Sequence, residues 1–95
     1  MIFGIFRISG HSMLPTLKPN DHVIASNLPY FLREPRIRDI VLFRYNDKIL
    51  VKRISRLKNK KSFLAGDNKS DTLKIEPIEQ KDILGKVLFT ISAKG

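Results

Sequence analysis

The sequence contains no cysteine and just two histidines, His11 and His22. The missing cysteines exclude disulfides, thiolate metal sites and a cysteine nucleophile. Two histidines are too few for a dedicated zinc site; a site of two histidines and a carboxylate is formally possible, but no HExxH spacing supports it. Asp67, Asn68 and Asp71 lack the spacing of a calcium loop, so they indicate a tight turn. We therefore predict no metal and no cofactor.

Long hydrophobic runs are also missing. No stretch approaches the ~20 apolar residues of a membrane-spanning helix. The apolar start, residues 1–6, ends at Arg7 and is too short for the core of a signal peptide with its cleavage site. It is typical of a first strand, or of an edge that touches a membrane superficially. The sequence thus predicts a protein that is cytoplasmic or peripheral to a membrane.

Acidic residues are scarce beside basic ones: 9 Asp and Glu face 18 Lys and Arg, giving a net charge of +9. The excess is concentrated between Arg33 and Lys61. Such a field favours an anionic partner, either phospholipid headgroups or nucleic acid, although a basic surface that merely keeps the protein soluble explains it equally well. With 42% hydrophobic and 28% charged residues, the chain is typical of one globular domain spanning residues 1–95.

Strand signals recur along the chain, whereas helical periodicity is almost absent. Residues 38–45 and 48–57 are rich in branched and aromatic side chains, and Asn46-Asp47 between them favours a turn, so together they predict a long β-hairpin. Further strands are predicted at 22–26, 62–65, 72–76 and 83–92, with a surface connection over 27–35. The predicted fold is mainly β, a coiled antiparallel sheet or partly open barrel.

Ser12 and Lys52 are the residues that suggest chemistry. A serine hydroxyl is a weak nucleophile until a neighbouring base takes its proton, and lysine is an accepted base in such pairs. Two-residue alternation places Lys52 on the same strand face as Leu50 and Ile54, where burial disfavours the charged amine. His11 points away from Ser12 on an extended segment. Taken singly, a loop serine usually forms a turn and a strand lysine usually reaches solvent.

Taken together, several motifs resemble the type I signal peptidases, serine peptidases of family S26. The run Gly10-His11-Ser12-Met13-Leu14-Pro15-Thr16-Leu17 resembles their nucleophile box, and Val51-Lys52-Arg53-Ile54 resembles the box of the general-base lysine. Four further segments are similar to family motifs in the same order: Pro19-Asn20-Asp21-His22-Val23, Arg38-Asp39-Ile40-Val41-Leu42-Phe43, Gly66-Asp67-Asn68 and Ile83-Leu84-Gly85-Lys86-Val87. The resemblance implies a catalytic core like that of signal peptidases and of LexA.

The resemblance implies roles for particular residues. Ser12 would be the nucleophile and an oxyanion donor through its backbone N–H, and Lys52 the general base. Gly10 stands where the family often has a hydroxyl that also binds the oxyanion. Ser70 or Thr72 would orient Lys52, with Asp71 as a structural acid, although the arginine that commonly follows is absent. Met13 is expected beside the substrate, and Pro15 would stiffen that segment.

The implied function is a serine endopeptidase that cuts a protein or peptide substrate after small side chains, with the substrate bound as an added strand. The compact length and the 33–39 segment are similar to the subgroup of nickel-type superoxide dismutase maturation proteases. One alternative is a basic β-module that binds nucleic acid or an anionic membrane without catalysis. It leaves the serine and lysine motifs unexplained, so nucleic acid is the disfavoured partner. Another is a self-cleaving repressor-type protease, for which no internal cleavage segment is visible.

Overall fold

The computed structural model describes residues 3–71 and 73–93, which fold into one open antiparallel sheet. Its elements are β1 (Phe3–Arg7), β2 (His22–Ser26), α1 (Pro29–Leu32), β3 (Ile40–Tyr45), β4 (Lys48–Lys58), β5 (Lys61–Ala65), β6 (Ile78–Glu79), a 3-10 turn (Gln80–Asp82) and β7 (Ile83–Ile91). The strand order is β1-β2-β7-β3-β4-β5-β6. The predicted mainly β fold is confirmed, and the sheet is not closed into a barrel.

Two tight turns set the register of the central strands. Asn46 and Asp47 join β3 to β4 with φ of 49° and 64°, and Asn59 and Lys60 join β4 to β5 with φ of 52° and 62°. Positive φ at both central residues is the backbone that two-residue hairpins require. The first turn brings Val41 directly opposite Lys52.

Two other residues have a left-handed backbone conformation, and both occupy positions where the signal peptidase motifs have glycine. Asn20 has φ of 72° and Arg38 has φ of 83°. Asparagine tolerates this region through local hydrogen bonding, whereas a long side chain such as arginine does so at a cost. The backbone therefore keeps the geometry for which glycine is suited, although this sequence has other residues there.

The core lies on both faces of the sheet. Neighbours along β3 alternate between two clusters, Leu42 in the first and Val41 and Phe43 in the second, and all three are almost fully buried. The first cluster also contains Ile8, Met13, Leu17, Val23 and Ala25, and the second contains Ile54 and Ile78. Because both faces of β3 are covered, its sequence is a continuous apolar run.

The short helix α1 is fastened to the start of β3 by a polar cluster around Asp39. The Tyr30 hydroxyl donates to Asp39 Oδ2 at 2.7 Å, and Arg33 and the Arg36 backbone N–H donate to the same oxygen at 3.2 and 3.1 Å. Burial alone would raise the pKa of Asp39, but these hydrogen bonds together lower it. Burial and the adjacent carboxylate raise the pKa of Tyr30.

Most predicted strands are confirmed within two residues at each end, but one predicted strand is wrong and the predicted surface connection includes a short helix. The strand predicted at 72–76 is irregular backbone over 73–76, and the Glu76 N–H donates to the Tyr45 hydroxyl rather than to a strand. The connection at 27–35 contains α1, which its four residues make too short to show periodicity. Thr72 lies outside the described residues.

Candidate active site

Ser12 lies in the loop that joins β1 to β2. Three side chains of this loop, Ile8, Met13 and Leu17, are 5%, 2% and 1% exposed, and they anchor it on the first core cluster. The Ile8 N–H donates to the Asp21 carbonyl at 2.7 Å, which closes the loop at its base. Ser12 itself is half-buried. The apolar anchors on either side therefore hold the serine at the surface of the core.

Asp21 secures the far end of this loop. Its carboxylate accepts hydrogen bonds from the backbone N–H groups of Ala93 and Lys18, both at 3.0 Å. These two bonds, that from Ala93 first, lower the pKa of Asp21. The carboxylate thus ties the loop to the chain that follows β7.

Lys52 lies on β4, opposite Val41, with a side chain that is 4% exposed. Its Nζ donates to Asp71 Oδ2 at 2.5 Å, and the Asp71 side chain is 14% exposed. Leu50 and Ile54, which alternation places on the same strand face, both pack in the second core cluster. An apolar strand face therefore surrounds the lysine stem, and a carboxylate meets its amine.

The loop between β5 and β6 contacts the backbone on either side of the serine. The Asn68 N–H donates to the Ser12 carbonyl at 2.9 Å, and Asn68 Nδ2 donates to the His11 carbonyl at 2.8 Å. Asn68 Oδ1 accepts from the Ser70 N–H at 2.9 Å, which fixes the amide plane. One asparagine thus clamps two successive carbonyls of the loop that carries Ser12.

Gly66 is the first residue after β5, and it lies at a point where no side chain fits. A Cβ on Gly66 would collide with the Ser12 carbonyl oxygen and with Asp71 Oδ2. The bare backbone at this position therefore allows the serine loop and the partner of Lys52 to approach each other.

Arg53, the neighbour of Lys52, points to the opposite strand face and holds the same loop. Its Nε and Nη2 donate to the two oxygens of Asp67, both at 2.8 Å, and Nη1 donates to the Arg38 carbonyl at 2.9 Å. Asp67 also accepts from the Thr16 hydroxyl at 2.6 Å. The bidentate pair with Arg53 lowers the pKa of Asp67 despite partial burial. The sequence motifs did not predict this network, although Arg53 and Asp67 both belong to segments that resemble signal peptidase motifs.

Between the serine and lysine elements lies a cleft of about 570 Å³. It is lined on one side by the segment from Phe6 to Gly10 and on the other by β4 from Lys48 to Lys52, with Met13 and Leu42 at its base. Within the part of the chain that the structure describes, no group accepts the Ser12 N–H. This donor is therefore available to a ligand in the cleft.

The structure brings together five of the predicted site residues and separates others. Gly10, Ser12, Met13, Lys52 and Asp71 all line the cleft. Pro15 is exposed and outside the lining, and the hydrogen bond recorded for Ser70 is through its backbone. Ser12 and Lys52 both belong to the residues that the structure describes, and the Ser12 hydroxyl makes no direct hydrogen bond with the Lys52 amine. Such bonds often tighten when substrate binds.

Residues 3–71 and 73–93 contain neither a membrane-spanning helix nor a cluster of metal ligands. No helix there is long and apolar enough to cross a membrane. No group of three histidine, aspartate or glutamate side chains is placed to hold a metal ion.

This open antiparallel sheet with few helices is of the β class found in LexA-like and signal-peptidase-like folds. The chain belongs to the Peptidase S24-like family, whose model matches residues 3–88. Membership supports a serine-peptidase type of function.

Two curated relatives from Arabidopsis thaliana match a shorter stretch. The chain is 51% identical over 37 residues to the probable thylakoidal processing peptidase 2 and 46% identical over 37 residues to thylakoidal processing peptidase 1, both chloroplastic. Each match covers 39% of this chain, and it covers 10% and 11% of the two relatives. The chain thus spans about a tenth of the length of these relatives.

Proposed function

We propose that this protein is a serine endopeptidase of the signal-peptidase type that removes a leader or propeptide from a protein substrate. Ser12 is the nucleophile and Lys52 the general base. The observation that carries the proposal is the shared cleft: a half-buried loop serine and an almost fully buried strand lysine, far apart in sequence, both line it. A lysine is rarely buried unless it has a partner or a function.

Ser12, Lys52 and one water molecule complete the proposed chemistry. Lys52 Nζ, when neutral, takes the proton of Ser12 Oγ as the oxygen attacks the scissile carbonyl, and the Ser12 N–H stabilises the oxyanion. Lys52 returns the proton to the leaving amine, which leaves an acyl-enzyme. Water then attacks the ester with Lys52 again as base, and this step releases the acid and restores the serine.

The preference for small side chains before the bond follows from the resemblance to signal peptidases. The cleft is lined by the segment Phe6–Gly10 and by β4, and the almost fully buried Met13 and Leu42 also contribute to its lining. A peptide lying in the cleft as an added strand would point alternate side chains at this apolar lining. Leader peptides, and the propeptide of a nickel-type superoxide dismutase in particular, are the substrates to try.

A repressor-type protease that cuts its own chain shares the same Ser-Lys logic and the same family. The similarity to two processing peptidases favours cleavage of a separate substrate. Self-cleavage would produce fragments of this chain during incubation at alkaline pH, whereas processing of a leader leaves the enzyme intact.

The decisive experiment removes each member of the pair. Ser12→Ala and Lys52→Ala should each lower kcat/KM by at least about 10³-fold on a peptide with small residues before the bond, and the double variant should be no worse, because the pair acts as a unit. Lys58→Ala, at the exposed end of the same strand, is the matched control and should retain activity. Full activity in Ser12→Ala or Lys52→Ala would contradict the mechanism.

A second surface supports docking on an anionic membrane. Seven apolar side chains form an exposed patch, here called the apolar face: Phe3, Ile5, Leu28, Phe31, Leu32, Phe89 and Ile91, each between 44% and 83% exposed. Ile5 and Phe89 flank Ile24 in one cross-strand row, and a groove joins Phe3 to Leu28 and Leu32. Large contiguous apolar patches commonly mark interaction surfaces.

Structure refines which residues of the N-terminal segment belong to this surface. Phe3 and Ile5 belong to it, whereas Phe6 packs against the first core cluster and Ile2 lies outside the described residues. Arg7 follows Ile5 on the same face of β1 and pairs with His22, and Arg33 lines the groove beside Leu28 and Leu32, so cations flank the apolar face.

Vesicle sedimentation tests the docking. The protein should pellet with vesicles containing phosphatidylserine at low salt and be released as salt rises. Phe31→Ser with Leu32→Ser should weaken binding, whereas Leu57→Ser, which removes an exposed leucine elsewhere, should not. Equal binding to neutral vesicles would remove electrostatics from the account. Retention on DNA instead, with the same salt dependence, would favour the nucleic-acid alternative.

A further inference from the structure

The partner of the Lys52 amine is a carboxylate, where the signal peptidase motifs led us to expect a hydroxyl. Lys52 Nζ lies 2.5 Å from Asp71 Oδ2, and both side chains are largely buried, at 4% and 14% exposure. A hydroxyl orients an amine without preferring either of its protonation states. A carboxylate orients it and also favours the ammonium form.

The position of Asp71 follows from the loop that clamps the serine. The Asp71 N–H donates to the Asn68 carbonyl at 2.9 Å, and Asn68 in turn holds the Ser12 carbonyl at 2.9 Å. The missing side chain at Gly66 leaves room for Asp71 Oδ2. Asp71 is therefore placed by the same backbone that places the nucleophile.

The other charges near the amine do not replace this carboxylate. Arg7, at the end of β1, and Lys48, on β4, are the other charged residues that line the cleft, and both are cations. On the loop between β5 and β6, Asp67 is paired with Arg53, and Lys69 is a further cation. Lys86 on β7 shares the cross-strand row of Lys52 through Val41. Asp71 is thus the one carboxylate among the described residues that line the cleft.

We propose that Asp71 is the positioning residue of Lys52, with two opposed effects on the reaction. This inference rests on the proposed function. A carboxylate in contact with an amine favours the charged form of that amine, so in the free enzyme this contact opposes the use of Lys52 Nζ as a base. During attack the proton of Ser12 Oγ passes to Lys52 Nζ, and Asp71 then stabilises the ammonium that forms, as the carboxylate of a Ser-His-Asp triad does.

These two effects give a signature that a merely structural acid would not produce. Removing the charge of Asp71 removes the carboxylate that favours the charged amine, so the midpoint of the rising pH–rate profile should move to lower pH. The same change should lower the plateau rate by roughly 10- to 10³-fold, because the ammonium loses its partner. A structural defect would lower the rate at every pH without moving the midpoint.

The test compares kcat/KM from pH 5 to 10 for the full chain with Asp71→Asn and Asp71→Ser, the second of which supplies a hydroxyl. Asp47→Asn, in an exposed hairpin turn, removes the same charge and should leave both midpoint and plateau unchanged. An unchanged midpoint in both Asp71 variants, or a shift to higher pH, would overturn the proposal. Thermal melting at neutral pH shows which variants are folded.

A second measurement does not depend on activity. The pH titration of the Lys52 side chain can be followed by carbon-13 NMR in Ser12→Ala protein, with and without Asp71→Ser. We expect the amine to lose its proton at lower pH when the carboxylate is absent, and identical titrations would refute the role of Asp71. Peptide cleavage that survives in Ser12→Ala would instead refute the proposed function, so the two failures are distinguishable.

Discussion

Replacing Gly66 with alanine is a sharp test of how the site is assembled. The new Cβ would lie far inside van der Waals contact of the Ser12 carbonyl oxygen and of Asp71 Oδ2. The carboxylate can rotate away, but the carbonyl belongs to the backbone and is also held by the Asn68 N–H. The loop that carries Ser12 or the loop between β5 and β6 must therefore move, and the distance between Ser12 and Lys52 must change with it.

The expected loss follows from the size of that movement. Relieving the overlap needs a displacement on the order of 1 Å, and a misplacement of that size in an active site can cost about 10²-fold in rate, equivalent to roughly 2.7 kcal/mol. Overpacking of this kind costs about 1–3 kcal/mol of stability. For a domain of this size each kcal/mol lowers Tm by about 4–8 °C.

Peptide cleavage and thermal melting measure the two effects separately. Gly10→Ala is the matched control: Gly10 also lines the cleft, a Cβ there meets nothing within 4 Å, and its φ of 80° makes the cost a backbone strain of about 1–2 kcal/mol. We expect activity to fall at least tenfold further in Gly66→Ala than in Gly10→Ala. Wild-type kcat/KM and Tm in Gly66→Ala would refute the steric argument.

Two further predictions concern stability. Arg38→Gly should raise stability by about 0.5–1 kcal/mol, measured by urea unfolding, because glycine relieves the left-handed backbone while the Arg38 carbonyl still accepts from Arg53; a loss would contradict this. Acid should destabilise the protein. Hydrogen bonds from Arg53 lower the pKa of Asp67, and hydrogen bonds from Tyr30, Arg36 and Arg33 outweigh burial and lower the pKa of Asp39. Both carboxylates therefore contribute stability at pH values above their ordinary pKa of 3.8, and this stability is lost as the pH falls through their pKa values in the folded protein. Unfolding free energies at pH 7, 4 and 3 check this, and a flat profile from 4 to 3 would contradict it; Arg53→Gln should remove the Asp67 share.

Local signals account for what the sequence could predict. The hairpin of β3 and β4 is specified by alternation within each strand and by Asn46-Asp47, all of which are near neighbours in sequence. The two-residue strand β6 carries no such signal, because its pairing with β5 is what makes it a strand. Branched residues at 72–76 predicted a strand, but Ile75 packs into the second core cluster while the backbone stays irregular.

In the candidate site, too, some features could be predicted from the sequence and others could not. Ser12 and Lys52 were proposed from short motifs, and the structure places both on one cleft. The contact of Lys52 with Asp71 and the clamp of Asn68 on the serine loop depend on how two distant loops dock. Those contacts are set by tertiary packing, and no spacing within a single segment reports them. The orienting hydroxyl stays a prediction for Ser70 and Thr72.

The position of β7 has a consequence for the order in which the parts of the sheet fold. The last strand of the sheet lies between β2 and β3, so it joins the half that carries the serine to the half that carries the lysine. The hairpins of β3, β4 and β5 close locally and quickly, whereas pairing across β7 has to bridge most of the chain. As the sheet folds, the hairpin that holds Lys52 should therefore form before β7 docks the Ser12 half beside it, and the cleft should be completed only when β7 has paired on both sides.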